Sequence, residues 1–352
     1  MVSFKKYFSK YWLEMCWPVA RMSGSVIITA SVIMYSFSFS AEAQERLIYA
    51  SPLPQKEYGA RYAREFAEQV NMATGGAVEI LMRQNGVLGL KGPETLAATR
   101  DGLVHIADMQ MSQQVGDDSI FGIESLPCLV RSFEELRRLR SLTRPHFEKA
   151  ARQFNQKILF MYPMPPQNLF MNQKIGISAA ALKGLRIRTI DKNGTELFFR
   201  LGAAPIQMPW SEVMPALSSG LLDGVSTSST TAVSGAFWDF LTHATELHWQ
   251  MNSFMASVNL DAWARVPAQY HPAIEKIGKN IEDKLWDAAL KADKDAKEFL
   301  LSRGIIFSKP GAELESLMKL KCDEIVTEYT QRSGVRYSTI IDGYKATVKQ
   351  SQ

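Results

Sequence analysis

The chain has 352 residues, with 40 lysines and arginines against 36 aspartates and glutamates. Such a chain is expected to fold into two lobes, because single hydrophobic cores stop growing at roughly 250–300 residues. The formal net charge of +4 falls to +2 once residues 1–43 are set aside. This near-neutral balance argues against a nucleic-acid partner, which requires a clustered basic face.

The first 43 residues have the organisation of an export signal. Four basic residues between Lys5 and Arg21 precede the apolar run Val26–Phe39, and Ala41-Glu42-Ala43 supplies a small-x-small cleavage site. The sequence therefore predicts a signal peptide over 1–43 and a periplasmic mature chain with no direct membrane insertion. The alternative is an uncleaved N-terminal anchor. No later segment approaches the ~20 apolar residues of a spanning helix.

Strands and helices alternate in the first half of the mature chain. Strands are predicted at 47–51, 77–83, 104–110 and 157–162. Helices are predicted between them at 60–70, from Pro93, and from the capping box of Ser132 and Glu135 through Leu139. Such alternation predicts parallel βαβ units, whose ligands bind beyond the carboxyl ends of the strands. Gln110 ends one of these strands and is expected to face the ligand.

The segment 182–229 predicts strand, helix, strand, helix and strand, and places Arg188 at the exit of its first strand. The surroundings of Arg188 are mostly apolar. A guanidinium cannot shed its charge, so near an interior it requires an anion beside it. That anion is either an aspartate or glutamate of the chain or a ligand. The segment by itself favours the internal pair and leaves the ligand open.

A long helix is predicted over 272–303, where one apolar face continues for about 30 residues, or ~45 Å. It is expected to run along both lobes. No flexible linker separates the halves, so several chain crossings should connect the lobes. The predicted first lobe comprises 44–166 and 254–290, and the second comprises 167–253 and 291–352.

The sequence does not contain a convincing catalytic or metal-binding motif. The stretch His243–His248 lacks the spacing of H-E-x-x-H. The stretch Gly224-Val-Ser226 begins like a nucleophile elbow but lacks the closing glycine. Neither a G-x-G-x-x-G motif nor a P-loop occurs. We therefore expect no catalytic residue, metal or cofactor, and an enzyme is disfavoured.

Two cysteines of the predicted mature chain, Cys128 and Cys322, lie far apart in sequence. We interpret both as small buried hydrophobic residues. A disulfide between them, in an oxidising compartment, remains the alternative.

Several short motifs in order carry a family resemblance. The most specific are Leu182-Lys-Gly-Leu-Arg-Ile-Arg188, Gly202-Ala-Ala-Pro205, Met208-Pro-Trp-Ser-Glu-Val213 and Gly220-Leu-Leu-Asp-Gly224. With them the mature chain resembles the periplasmic solute receptors of tripartite ATP-independent periplasmic (TRAP) transporters, the DctP-like family. The resemblance covers essentially the whole mature chain.

The resemblance implies a two-lobed α/β periplasmic binding protein fold, in which each lobe is a mostly parallel sheet flanked by helices. It implies a receptor that binds a small organic acid in the cleft between the lobes and delivers it to a permease with small and large membrane subunits. Arg188 would clamp the carboxylate, since a planar fork can form two charge-assisted hydrogen bonds. A binding module for a sensor system and a periplasmic enzyme remain alternatives.

Other site residues are also implied by the resemblance. Gln167 falls where many relatives carry a second arginine or a glutamine, and its amide could donate to the ligand. Trp210 resembles the aromatic residue that walls the cleft. After Asp223-Gly224 many relatives read Gln-Glu-Asn, whereas this chain reads Val225-Ser226-Thr227-Ser228. The hydroxyls of Ser226 and Thr227 change the ligand's polar partners and hint at an aromatic, keto or hydroxy acid. Each of these residues also has a simpler interpretation: Gln167 as a solvated loop residue, Trp210 as a core residue, and the Ser226-Thr227 segment as a transition from strand to loop.

Overall fold

The structure is a computed structural model that describes residues 44–173 and 179–349. The predicted export signal, 1–43, lies outside the described residues. Within the residues described, no helix is both long enough and apolar enough to cross a membrane.

The described residues form two sheets with helices packed on them. The strands are β1 (Glu45–Ala50), β2 (Val78–Arg83), β3 (Ile106–Gln110), β4 (Gln156–Met164), β5 (Asn168–Met171), β6 (Arg186–Thr189), β7 (Ala204–Gln207), β8 (Gly224–Thr227), β9 (His243–Thr245), β10 (Asn252–Asn259) and β11 (Ile306–Ser308). The α-helices are α1 (Tyr58–Ala73), α2 (Thr95–Arg100), α3 (Phe133–Gln153), α4 (Lys192–Arg200), α5 (Trp210–Ser218), α6 (Ser229–Ser234), α7 (Leu260–Arg265), α8 (His271–Ser302), α9 (Ala312–Ser333) and α10 (Val335–Lys349).

The first sheet has the strand order β2-β1-β3-β10-β4, and the second has the order β11-β9-β5-β8-β6-β7. Each sheet defines one lobe. One strand in each sheet runs antiparallel to both of its neighbours: β10 in the first sheet and β5 in the second. Both of these strands follow a passage of the chain from the other lobe, which reverses their direction. The predicted two-lobed α/β fold is confirmed, and the sheets predicted to be mostly parallel are mixed, with two antiparallel pairings in each.

Local sequence explains why the elements lie where they do. In α1 the apolar residues at helical spacing, among them Phe66 and Val70, are fully buried. The hydroxyl of Ser132 caps α3 by accepting from the Glu135 N–H. Helix α3 continues past the predicted end at Leu139 to Gln153, because Phe147 and its neighbours keep facing the core.

Within the described residues, four apolar cores flank the two sheets. Helices α1 and α8 contribute to the core on one face of the first sheet, where Phe66 and Phe160 pack with ring centroids 5.1 Å apart. Helix α8 approaches β4 closely at Gly278, where a β-carbon would lie 2.5 Å from the Leu159 carbonyl oxygen. The second sheet is covered by α4 and α9 in one core and by α5 and α6 in another.

The chain passes between the lobes at several points, as predicted. Residues 165–167 lead from β4 to β5, and residues 246–251 lead from β9 to β10. A hydrogen bond from the Gln167 N–H to the Gln250 carbonyl, 2.9 Å long, joins these two passages. Helix α8 makes the third, since Leu285 packs in a core of the first lobe and Leu300 in a core of the second. The long helix is therefore confirmed.

The C-terminal helices lead from the second lobe back to the first. Helix α9 begins with Leu314 in a core of the second lobe and ends with Val326 and Tyr329 in a core of the first, where α10 adds Ile341 and Tyr344. The predicted boundaries assign all of 291–352 to the second lobe and so do not include the return of α10. The exact division of the lobes stays a prediction.

A disulfide joins Cys128 and Cys322, which are 194 residues apart in sequence, with a Cα–Cα distance of 5.8 Å. The prediction of two unpaired buried cysteines is wrong, and the alternative that it left open is correct. The pairing arises because α9 packs back against the segment around Cys128, whose N–H donates to the Trp249 carbonyl at 2.6 Å. The bond thus fastens α9 beside the passage 246–251.

Candidate ligand-binding site

A cavity of about 420 Å³ lies between the two lobes. Its volume suits a small molecule, since such pockets commonly enclose roughly 300–1,000 Å³. The first lobe contributes Gln110 from the end of β3 and Phe254 from β10, while the second contributes Arg188 and Thr227 from the ends of β6 and β8. The cavity therefore lies at strand ends, where α/β sheets bind ligands.

The structure brings five of the six predicted site residues to this cavity: Gln110, Gln167, Arg188, Trp210 and Thr227. Ser226 lies elsewhere, because neighbouring residues in a strand point to opposite faces of the sheet. Its hydroxyl accepts a hydrogen bond from the indole Nε1 of Trp249 at 3.0 Å, and both residues are buried.

Arg188 is 3% exposed, and its guanidinium donates from Nε and Nη2 to the carbonyl oxygen of Met208, at 3.2 and 3.0 Å. Among the residues that the structure describes, no carboxylate lies within ion-pair distance of this guanidinium. Burial lowers the pKa of Arg188 to about 10, opposed by the charge of Asp191. Arg188 is therefore a buried cation at neutral pH that lies beside a cavity and lacks a paired anion.

Asp191 lies close to Arg188 but serves a different purpose. Its carboxylate caps α4 by accepting from the Gly194 N–H at 2.8 Å, and it also accepts from the Gln250 side chain at 2.9 Å. Burial raises the pKa of Asp191, although these bonds and the charge of Arg188 oppose the rise. Asp191 therefore holds the start of α4 against the lobe passage rather than forming an ion pair with Arg188.

Gln167 is 2% exposed, and its amide nitrogen donates to the Pro165 carbonyl at 3.2 Å. Its Oε1 is buried without a hydrogen-bond partner in the described part of the chain. The unpaired group of Gln167 is therefore an acceptor, whereas the sequence suggested an amide that donates to the ligand. A buried acceptor left unpaired costs about 1–3 kcal/mol, so a donor from a ligand would be favourable there.

Trp210 begins α5 and is partly buried at the cavity wall. Its ring stacks on Phe237, with centroids 6.2 Å apart. The residue thus combines the two interpretations that the sequence left open, since one ring contacts a core of the second lobe and also borders the cavity.

The sequence analysis missed two charged residues at the cavity, Glu57 and Lys91. Glu57 is 6% exposed and its Oε1 accepts from the Ser234 hydroxyl at 2.6 Å. Lys91 is largely exposed, and its Nζ lies 3.8 Å from a carboxylate oxygen of Glu212 in α5. Glu57 follows the carboxyl end of β1, so the rule that selected Gln110 could have selected it too.

Comparisons with known proteins agree with this architecture. Residues 50–332 match the model of the DctP family, described as bacterial extracellular solute-binding protein, family 7. A solute-binding protein of Albidiferax ferrireducens is 22% identical over 301 residues, covering 82% of this chain and 85% of that protein.

Solved structures of this kind share the fold. DctP7 of Bordetella pertussis, an extracytoplasmic solute receptor binding pyroglutamic acid, has a TM-score of 0.82 at 26% identity and covers 85% of this chain and 99% of its own. A TRAP periplasmic solute-binding protein of Chromohalobacter salexigens with bound D-glucuronate has a TM-score of 0.79 at 17% identity, covering 85% and 99%. Since the family model spans well over half of the chain, this protein belongs to family 7 of the bacterial extracellular solute-binding proteins, the DctP family of TRAP solute receptors.

Proposed function

We propose that this protein binds a small organic acid in the cavity between its lobes and delivers it, chemically unchanged, to the small and large membrane subunits of a TRAP permease. The observation that carries the proposal is Arg188, a buried guanidinium beside a 420 Å³ cavity with no carboxylate of the described chain in ion-pair distance. A ligand carboxylate would supply the missing anion. Charge-assisted hydrogen bonds of this kind contribute ~1.5–3 kcal/mol each.

The other cavity residues would complete the site. Gln167 and Thr227 offer polar atoms on the same lobe as Arg188. Gln110 contributes from the first lobe, and Trp210 forms an apolar wall. The ligands of the structural relatives support an acid, because pyroglutamate and D-glucuronate both carry a carboxylate.

Binding would be coupled to closure of the lobes. The passages 165–167 and 246–251, joined by the Gln167–Gln250 hydrogen bond, are the places where a hinge rotation would be absorbed. Closure would expel water from the cavity and strengthen the ion pair at Arg188. The export signal over 1–43, cleaved near Ala43, would place the receptor in the periplasm.

A thermal-shift screen of the protein beginning at Gln44 tests the proposal. The panel would hold pyroglutamate, D-glucuronate, orotate and mandelate. Calorimetry would then measure the affinity of any acid that raises the midpoint of thermal unfolding. A ligand at 100 times its Kd should add about 2.7 kcal/mol of apparent stability. The matched controls are the corresponding carboxamides, which lack the anion. Mass spectrometry after incubation should return the bound acid unchanged.

Two outcomes contradict the proposal. One is a panel in which no acid shifts the midpoint. The other is binding that is equally strong for the acids and their carboxamides, since that result removes the need for Arg188.

A further inference from the structure

One acidic side chain, Glu57, belongs to the described lining of the cavity. It precedes α1 in the first lobe, whereas Arg188 lies on β6 in the second, so the cavity carries a carboxylate and a guanidinium on walls from different lobes. At 6% exposure the carboxylate is nearly dry. Burying a carboxylate costs free energy unless the carboxylate accepts hydrogen bonds.

The contacts of Glu57 show that it acts as an acceptor. The Ser234 hydroxyl, at the end of α6 in the second lobe, donates to Oε1 at 2.6 Å. In the described residues no basic side chain lies within ion-pair distance of Glu57. Burial raises the pKa of Glu57, and Ser234 and the nearby charge of Arg61 oppose the rise.

A second observation points to the same ligand chemistry. The Oε1 atom of Gln167 is buried without a partner in the described residues, while one N–H of its amide donates to the Pro165 carbonyl. Glu57 and Gln167 are therefore two lining residues whose carboxylate and amide oxygens can accept a hydrogen bond from a ligand. A ligand that is only a carboxylate on an apolar body would leave Gln167 Oε1 without a donor and Glu57 with the Ser234 hydroxyl as its hydrogen-bond donor.

Building on the proposed function, we propose that Glu57, together with Gln167, is a specificity determinant that selects monocarboxylic acids bearing an N–H or O–H donor and rejects dicarboxylates. A site built to hydrogen-bond an N–H or O–H group strongly rejects the analogue without it, because its buried polar groups are then unpaired. A second ligand carboxylate facing Glu57 would place two like charges together in a dry site. The ligand class is thus a lactam, imide or hydroxy acid rather than a simple diacid.

Matched ligand pairs test the proposal by calorimetry on the protein beginning at Gln44. The pairs are pyroglutamate with N-methylpyroglutamate, orotate with 1,3-dimethylorotate, and mandelate with O-methylmandelate, and glutarate and succinate represent the diacids. For the pair that binds, the wild type should prefer the donor-bearing member at least ~100-fold. Glu57→Gln should reduce that preference to below ~10-fold and raise the affinity for glutarate.

The control variant is Ser234→Ala, which removes the hydrogen bond from Ser234 to Glu57 but keeps the Glu57 carboxylate. The Ser234→Ala variant should bind the donor-bearing member of each pair with the same preference as the wild type. If both variants weaken the two members of a pair equally, Glu57 serves only to bridge the lobes and the inference is wrong. If the wild type binds both members equally, the inference fails while the proposed function stands. If no acid of any pair binds, the proposed function fails and the inference fails with it.

Discussion

Two arginines of this protein are buried to a similar extent but have different partners. Arg140, 6% exposed, extends Nε and Nη2 to the carboxylate of Glu124 and also donates to the hydroxyl of Ser253. Arg188, 3% exposed, donates to one backbone carbonyl and borders the cavity. Burial of an arginine therefore does not by itself indicate a ligand site. What indicates one is a buried guanidinium beside a cavity without a carboxylate of its own.

The comparison has an energetic meaning. Removing one partner of a buried ion pair leaves an uncompensated charge, which is strongly destabilising, and a buried charge without a partner carries such a cost from the start. Loss of either Arg140 or Glu124 should therefore destabilise the first lobe. Arg188 should instead lower the stability of the ligand-free protein and recover that energy when an acid binds.

The largest expected effect is on the paired arginine. Glu124→Gln should lower the free energy of unfolding by about 3–5 kcal/mol, because Arg140 then stays buried without an anion. Guanidinium chloride unfolding measures the change. The control is Asp223→Asn, which breaks the partly exposed pair with Arg186 and should cost less than about 1 kcal/mol. Equal losses in the two variants would show that burial does not distinguish these pairs.

The next effect is on binding. Arg188→Lys keeps the positive charge but loses the planar fork, so the affinity for the bound acid should fall roughly 100-fold, about 3 kcal/mol. Calorimetry with the acid identified in the screen measures the fall. Arg186→Lys, two residues earlier on the same strand and paired with Asp223, is the matched control and should bind normally. An Arg188→Lys variant with wild-type affinity would remove Arg188 from the site.

A smaller effect concerns the ligand-free protein. Arg188→Met should raise the free energy of unfolding by roughly 1–2 kcal/mol, because removing an unpaired buried charge outweighs the lost hydrogen bonds to Met208. Arg140→Met should lower it, since Glu124 would then be the unpaired group. Chemical denaturation without added acid measures both. A destabilised Arg188→Met protein would show that the guanidinium is a structural group like Arg140.

The smallest expected effect is a pH dependence at Asp191. Its folded pKa is raised by burial, so its protonated form contributes stability that is present below the unfolded pKa of about 4 and is lost as pH rises through the folded pKa. Asp191→Asn should flatten this fall, because asparagine can still cap α4 but does not titrate. Unfolding midpoints measured across the acidic range test it. Identical pH profiles for the two proteins would contradict the assignment.

Much of the architecture follows from local residue patterns. The apolar spacing of α1, the Ser132 cap and the strand–helix alternation of 182–229 each predict an element that the structure contains. Arg188 was also identifiable, since a charge at the exit of an apolar strand needs an anion whatever the fold. The sequence could not decide whether the anion beside Arg188 is internal or a ligand, because that depends on which carboxylates the folded chain brings near.

Local rules also explain why the structure places Ser226 away from the cavity. Ser226 and Thr227 are adjacent in β8, and neighbouring strand residues point to opposite faces of a sheet. Only one of them could therefore face the cavity. The alternation was visible in the sequence, but which of the two faced the ligand required the register of β8 between β5 and β6.

By itself, the sequence determined where helices and strands form, that the chain divides into two lobes and that a buried arginine ends one strand. These properties depend on residues close together in the chain. Only the tertiary structure decided that Cys128 pairs with Cys322, that α10 returns to the first lobe and that Glu57 faces the cavity of Arg188. Those contacts join residues that are more than 100 positions apart. Their formation depends on how complete lobes pack, a property that no local pattern encodes.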